Sequence, residues 1–196
     1  MDSIDQRIAF LRSRLQSSYD GLGQSSGRPY LYFVYPPEEE ARVRRLLDEQ
    51  LAVLPSMQTI RVDLLTLTVD ALHGEEERRQ HLLTSTNPVE SDVAPKEIAG
   101  LWQRRLRRHI LRELETVAPS ARPLVLLEGL ASLHPLTTPT AVMEKFAEQS
   151  IDNPHTGKPV PIVLFVPGVL VPHSSRVYHF LVPNSPQLLM YRGEDV

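Results

Sequence analysis

Short runs of apolar residues alternate along the chain with segments whose apolar residues recur every three or four positions. Runs that carry no polar residue are typical of strands buried on both faces of a sheet. Proline, glycine or serine clusters separate the two kinds of segment, as expected for turns. The pattern predicts five strands, at 30–35, 59–62, 124–127, 162–166 and 178–182.

The segments between these strands have the apolar spacing of helices. The first helix is predicted at 4–16, where apolar residues from Ile4 to Leu15 share one face and Ser3 with Gln6 forms a capping-box pattern. Pro37 and the three glutamates after it begin a second helix, because proline fits the first turn and acidic residues favour the positive end of the helix dipole. Four more helices are predicted at 64–73, 75–83, 97–117 and 140–149.

Strands that alternate with helices indicate an α/β fold with right-handed crossovers between parallel strands. We therefore predict a three-layer sandwich in which helices flank a largely parallel sheet of about five strands. The length of 196 residues fits a single domain, 1–196. Within it, the segment 84–96 is predicted as a loop, and its length is typical of a mobile or functional segment.

The composition is that of an ordinary globular domain, with 41% hydrophobic residues and a net charge of −3. The absence of cysteine excludes disulfides, thiolate-bound metals and thiol catalysis. No apolar run reaches the length of about 18 residues that a membrane span needs, and the first residues lack the basic and apolar regions of a signal peptide. We expect a cytoplasmic protein that makes no contact with a membrane.

The residues after the parallel strands are the first candidates for chemistry, because α/β proteins bind ligands at the carboxyl ends of their strands. After the first strand, Pro36, Pro37 and three glutamates lack the backbone donors and the charge that bind a phosphate. Glu128 and His134 follow the third strand and form the one candidate pair for a cryptic hydrolase. The seven histidines show no spacing typical of a metal site. The sequence therefore predicts a protein that is not an enzyme, with no cofactor and no metal.

Arginines are concentrated on one face of the helix predicted at 97–117, opposite its apolar stripe. Leu101 and Leu111 lie on the same outer side by the helical wheel, which favours a protein interface over a surface that binds only phosphates. Three interpretations stay open: an acidic protein partner, nucleic-acid phosphates, or a solvated face balanced by the glutamates at 75–77 and at Glu113 and Glu115. The arginines of this face are Arg104, Arg105, Arg108 and Arg112.

Prolines are enriched where the predicted strands end. Because X-Pro turns are rigid before a partner binds, a surface built from them loses little entropy on docking. The alternative is that these prolines only close the turns between strands and helices. The residues of this predicted strand-end surface are Pro36, Pro37, His134, Pro167 and Gly168.

Three short motifs follow one another along the chain between positions 21 and 168. They are Gly21-Leu22-Gly23 with the later Tyr35-Pro36-Pro37-Glu38, then Glu128-Gly129-Leu130-Ala131-Ser132, and then Phe165-Val166-Pro167-Gly168. In this order and spacing the segments resemble the BrxB family of bacterial BREX phage-defence systems.

The resemblance implies a small accessory subunit that works beside a PglZ-type phosphatase-fold protein, a DNA methyltransferase and a large ATPase. It transfers no catalytic residues. Two departures, Glu128 in place of a small polar residue and the stretch 187–196, are typical of a diverged relative. We therefore expect an adaptor that docks by protein–protein contacts, with the PglZ-type subunit as its first partner. A nucleic-acid-binding subunit that uses the helix at 97–117 is the alternative.

Overall fold

A computed structural model describes residues 3–19, 30–52, 54–74, 76–84, 88–174 and 176–196. Within these residues, seven strands form one sheet, and five of them run in the order β2-β3-β4-β1-β7 with every neighbouring pair parallel. The strands are β1 Tyr30–Tyr35, β2 Met57–Asp63, β3 Arg122–Glu128, β4 Ile162–Leu170, β5 Val177–Phe180, β6 Gln187–Leu189 and β7 Gly193–Asp195.

Helices connect the strands and cover both faces of the sheet, so the predicted α/β three-layer sandwich is confirmed. Two short 3-10 turns, Pro37–Glu39 and Leu130–Leu133, and a π-helical turn, Leu47–Leu51, complete the connections. None of the described helices is long and apolar enough to cross a bilayer. The helices are α1 Ile4–Ser18, α2 Glu40–Leu46, α3 Leu64–Leu72, α4 Glu76–Thr84, α5 Pro88–Glu115 and α6 Pro139–Glu148.

The core has two parts because alternate residues of each strand point to opposite faces. On one face, α1 and α2 pack on a layer that includes Leu31, Phe33 and Phe165. On the other face, α5 and α6 pack on a layer that includes Tyr32 and Leu164. Every residue of β1 is buried, as expected for the unbroken apolar run that predicted it.

The five predicted strands and the predicted first helix are confirmed, with ends that shift by a few residues. The capping box at the start of α1 is present: the Gln6 backbone N–H donates to Ser3 Oγ at 3.3 Å, and the Ser3 N–H donates to Gln6 Oε1 at 2.9 Å. The motif at 21–23 and the residues at 75 and 85–87 lie outside the described residues.

The prediction of a loop over 84–96 is wrong for 88–96, because α5 begins at Pro88 and runs through Pro95. Pro88 fits the first turn of a helix. Pro95 removes one backbone N–H and disfavours a helix locally, which is why the sequence pattern predicts a break there. Packing of the later turns of the same helix against the core overrides that local preference.

The end of β4 also differs from the sequence prediction, which placed Pro167 and Gly168 in an exposed turn. Both residues are buried inside β4: Pro167 pairs with Tyr35 of β1, and Gly168 pairs with Phe180 of β5. The strand continues because β5 folds back on it antiparallel and supplies the hydrogen bonds that the parallel neighbours no longer provide. The short strands β6 and β7 were not predicted, since three residues carry too little pattern.

Arg7 links α1 to the sheet through hydrogen bonds and an ion pair. Its guanidinium donates to the backbone oxygens of Val34 at 2.6 Å and Val196 at 2.7 Å and pairs with Asp195 at 3.3 Å. The same group lies 4.5 Å from the centre of the Phe33 ring. One planar cation therefore joins the helix to both β1 and β7, a role that depends on the several fixed donors of arginine.

Tyr178 of β5 is fully buried, with its ring centre 6.0 Å from that of Tyr32. Its hydroxyl lies 3.1 Å from Thr140 Oγ1, and the Thr140 hydroxyl donates to the Leu189 carbonyl at 2.6 Å. Burial raises the pKa of Tyr178 to about 12 and outweighs the hydrogen bonds with Thr140, which lower it. The neutral phenol is therefore the form that the folded protein requires.

We expect Gly168→Ala to lower the free energy of unfolding by about 1–3 kcal/mol, because a Cβ there would overlap the backbone carbonyl oxygen of His179. Urea unfolding measures the difference. Gly100→Ala is the matched control: it lies in α5, its Cβ would meet only Arg104 Nη1 at 3.5 Å, and it should stabilise the helix slightly. Equal stabilities for the two variants would contradict the packing of β5 on β4.

We expect the stability contributed by the neutral Tyr178 phenol to be complete below pH 10 and to be lost as the pH rises towards 12. The stability of Tyr178→Phe should therefore fall less steeply over this range than that of the unsubstituted chain, by about 2–3 kcal/mol in total. Urea unfolding at a series of alkaline pH values gives the two slopes. Parallel slopes would show that the phenol ionises as freely in the folded chain as in the unfolded one.

Candidate functional site: the arginine face of helix α5

Helix α5 presents one buried stripe to the sheet and one arginine-rich side to solvent. Trp102, Leu106, Ile110 and Leu114 form the buried stripe at a spacing of four residues. This stripe fixes the rotation of the helix, and the remaining positions follow from it. The arginine face, as we call it, consists of Arg104, Arg105, Arg108 and Arg112, of which Arg105 is half-buried and the other three are exposed.

The guanidinium groups of the arginine face have no carboxylate partner within the part of the chain that the structure describes. Glu113 and Glu115 lie on the same helix, but neither forms an ion pair with the arginine face. Glu76 lies 3.7 Å from His73 instead, and Glu75 is outside the described residues. No described glutamate therefore forms a direct ion pair with this face, and the three interpretations of the face stay predictions.

Leu101 and Leu111, which the wheel placed on the outer side of α5, are less exposed than predicted. Leu111 is half-buried and packs against the core, so it does not belong to the outer surface as the wheel predicted. Leu101 is also half-buried. Arg107 turns away from the arginine face and donates to the Ser150 carbonyl at 3.2 Å, which ties α5 to the segment after α6. The apolar contribution of α5 to an interface is thus smaller than the sequence indicated.

A groove of about 310 Å³ separates α5 from α3. Arginines 105, 108 and 112 form one wall, and α3 supplies the other wall and the apolar floor through residues that the sequence did not single out. Leu67 packs against the core, and Asp70 is the one carboxylate among the lining residues that the structure describes. The described residues that line the groove are Leu67, Asp70, Arg105, Arg108, His109 and Arg112.

The predicted strand-end surface is not assembled as one exposed patch. Pro36 and Pro37 are half-buried and lead into the short turn before α2, and His134 is exposed. Pro167 and Gly168 are buried inside β4 and have no surface to offer a partner. The two prolines close a strand-to-helix turn, which was the alternative interpretation of this group.

Glu128, the candidate catalytic carboxylate, is held by an arginine. Arg61 of β2 donates from Nε to Oε1 at 2.8 Å and from Nη2 to Oε2 at 3.0 Å, so both carboxylate oxygens accept from one guanidinium. Only 7% of the Glu128 side chain is exposed. The pair raises the pKa of Arg61, and His134, which is exposed, makes no hydrogen bond to Glu128. The arrangement has the chemistry of a structural ion pair.

Further charges extend this pair along the carboxyl edge of the sheet. Asp48, on the π-helical turn, pairs with Arg61. Arg44 bridges Glu40 at 2.8 Å and Asp63 at 3.3 Å. Asp63 also accepts from the backbone N–H of Leu65 at 3.0 Å and thereby caps α3. The carboxylates of this edge are thus engaged by arginines or by a helix end.

The same edge contains one perturbed hydroxyl. Tyr35, the last residue of β1, hydrogen-bonds to Glu40, and burial together with that contact raises the pKa of its hydroxyl. The described residues contain no group of three or more histidine or acidic side chains arranged to hold a metal ion. The ion pairs described at this edge stabilise the fold, and the arginine face is the candidate functional site.

Comparison with protein-family models, with curated proteins and with solved structures finds no match for this chain.

We expect Arg61→Met to lower the free energy of unfolding by about 3 kcal/mol, because it leaves the buried Glu128 carboxylate unpaired. Arg45→Met removes an exposed arginine whose Glu49 partner is 3.9 Å away and should cost less than about 1 kcal/mol. Replacing Arg61 and Glu128 together by methionine should recover much of the loss. The ion-pair assignment fails if urea unfolding shows equal stabilities for Arg61→Met and Arg45→Met.

Proposed function

We propose that this chain is a non-catalytic adaptor subunit that docks onto an acidic surface of another protein through the arginine face. The observation that carries the proposal is the set of arginines on α5 that lack a carboxylate partner among the described residues. Elsewhere in the chain, arginines such as Arg44 and Arg61 are engaged in ion pairs. Exposed guanidinium groups without partners are suited to bidentate pairing with carboxylates of a second protein.

The resemblance to the BrxB family supplies the proposed setting, a bacterial BREX phage-defence complex. In that setting the PglZ-type phosphatase-fold subunit is the proposed first partner, and the methyltransferase and ATPase subunits are further ones. The non-catalytic assignment is supported by Glu128, whose two oxygens are both engaged by Arg61. A cytoplasmic location follows from the same setting.

Nucleic acid is the second candidate partner, since the same unpaired arginines can neutralise phosphates. Two observations favour a protein. Asp70 stands within the groove beside the arginines, where a polyanion would meet a like charge. The net charge of the chain is −3, so long-range attraction to DNA is absent.

Co-purification with the proteins encoded beside this chain tests the adaptor function. We expect the unsubstituted chain to retain the PglZ-type protein, and Arg108→Glu/Arg112→Glu to retain about tenfold less, since charge reversal opposes an acidic surface. Arg45→Glu/Lys158→Glu is the control, because it changes the net charge equally at exposed positions outside the arginine face.

A chain that purifies alone in mild salt, or a pair of double variants that lose the partner equally, would contradict the proposal. Phage protection measured with the same variants should follow the co-purification. A mobility-shift assay with duplex DNA at about 50 mM salt tests the alternative, which predicts binding that weakens steeply as salt rises.

A further inference from the structure

Three arginines that line the groove between α3 and α5 lie on one side of α5. Arg105, Arg108 and Arg112 occupy positions i, i+3 and i+7 of one helix, so they fall within an arc of about 60°. Along the helix axis they are separated by about 4.5 and 6 Å. Their side chains therefore leave the helix in a short, nearly straight row along one wall of the groove.

A second helix reproduces that spacing. Acidic residues at i, i+4 and i+7 of an antiparallel helix advance by about 6 and 4.5 Å along its axis and so match the arginine row in reverse. Alternate residues of an extended strand advance by about 6.6 Å, which accumulates a mismatch over the same row. Grooves between two helices are also a recurring docking place for amphipathic helices.

The other lining residues refine the chemistry of the ligand. Leu67 at the floor offers an apolar contact to a side chain inserted between the walls. Asp70 on α3 stands opposite the arginine row and would repel a ligand that carries only negative charge. A helix with an acidic row, one apolar residue and a lysine or arginine towards α3 complements the arginines, Leu67 and Asp70 together.

We propose that the α3–α5 groove binds an acidic amphipathic helix of a partner protein, with its carboxylates at i, i+4 and i+7 against Arg112, Arg108 and Arg105. This inference rests on the proposed function, since it identifies the kind of partner segment that the arginine face receives. The groove, at about 310 Å³, admits side chains from one face of that helix, and its backbone lies across the opening.

Binding of synthetic peptides to the full chain tests the inference. The first peptide is an alanine-based helix with glutamates at i, i+4 and i+7, a leucine between them and a lysine on the side that meets Asp70. The control peptide has the same composition with its glutamates distributed around the helix. We expect the matched peptide to bind at least about tenfold more tightly at ~50 mM salt, as measured by fluorescence anisotropy.

Charge exchange supplies the decisive comparison. Arg108→Glu should weaken the matched peptide by about tenfold, and a peptide with arginine at its i+4 position should restore binding to that variant. Asp70→Lys should favour a peptide in which glutamate replaces the lysine. Equal binding of matched and control peptides, or failure of the exchanged pair to recover, would overturn the inference.

The peptide-binding and co-purification experiments distinguish a failure of the helical ligand from a failure of the proposed function. If peptides fail while the partner complex still depends on Arg108 and Arg112, the adaptor function stands and the helical ligand is wrong. If the matched peptide binds and no partner co-purifies, the groove is correct and the proposed BREX setting is wrong. Duplex DNA that competes with the matched peptide and binds more tightly would assign the arginine row to phosphates instead.

Discussion

Burial of the central strands β1 and β4 on both faces is the constraint on which the rest of the structure depends. Strands that are apolar on both faces are stable only when helices cover the sheet from both sides. Here one face is covered by α1 and α2, and the other by α5 and α6. Charged groups are excluded from the middle of such a sheet because an unpaired buried charge is costly. They are found at the strand ends and on the outer faces of the helices.

Arginine serves two different purposes in this protein. Arg7, Arg44 and Arg61 are engaged with carboxylates or backbone oxygens and connect helices to strands. The arginine face of α5 makes no comparable contact among the described residues. Because the first group has a role in stabilising the fold, the second group is the more informative about function. Three of its four members, Arg105, Arg108 and Arg112, line the groove beside α3.

The spacing of apolar residues in the sequence predicted the α5 side of the candidate site but not its α3 side. The helical wheel placed Arg104, Arg105, Arg108 and Arg112 on the solvent side, since the apolar stripe of the same helix determines its rotation. Of these four, Arg105 is half-buried in the structure. The wheel gave no indication that Leu67 and Asp70 complete a groove there, because α3 meets α5 only through the tertiary fold. The engagement of Glu128 by Arg61 likewise depends on the lateral pairing of β2 with β3.

The sequence by itself determined the class of fold, the main strands and the capped start of α1, because apolar spacing and end signals act over a few residues. Only the tertiary structure decided that β4 continues through Pro167 and Gly168, and that Gly193 belongs to a parallel edge strand beside β1. It also decided that a helix runs through Pro95. In each case contacts between residues far apart in the chain outweigh a local preference worth a few kcal/mol at most.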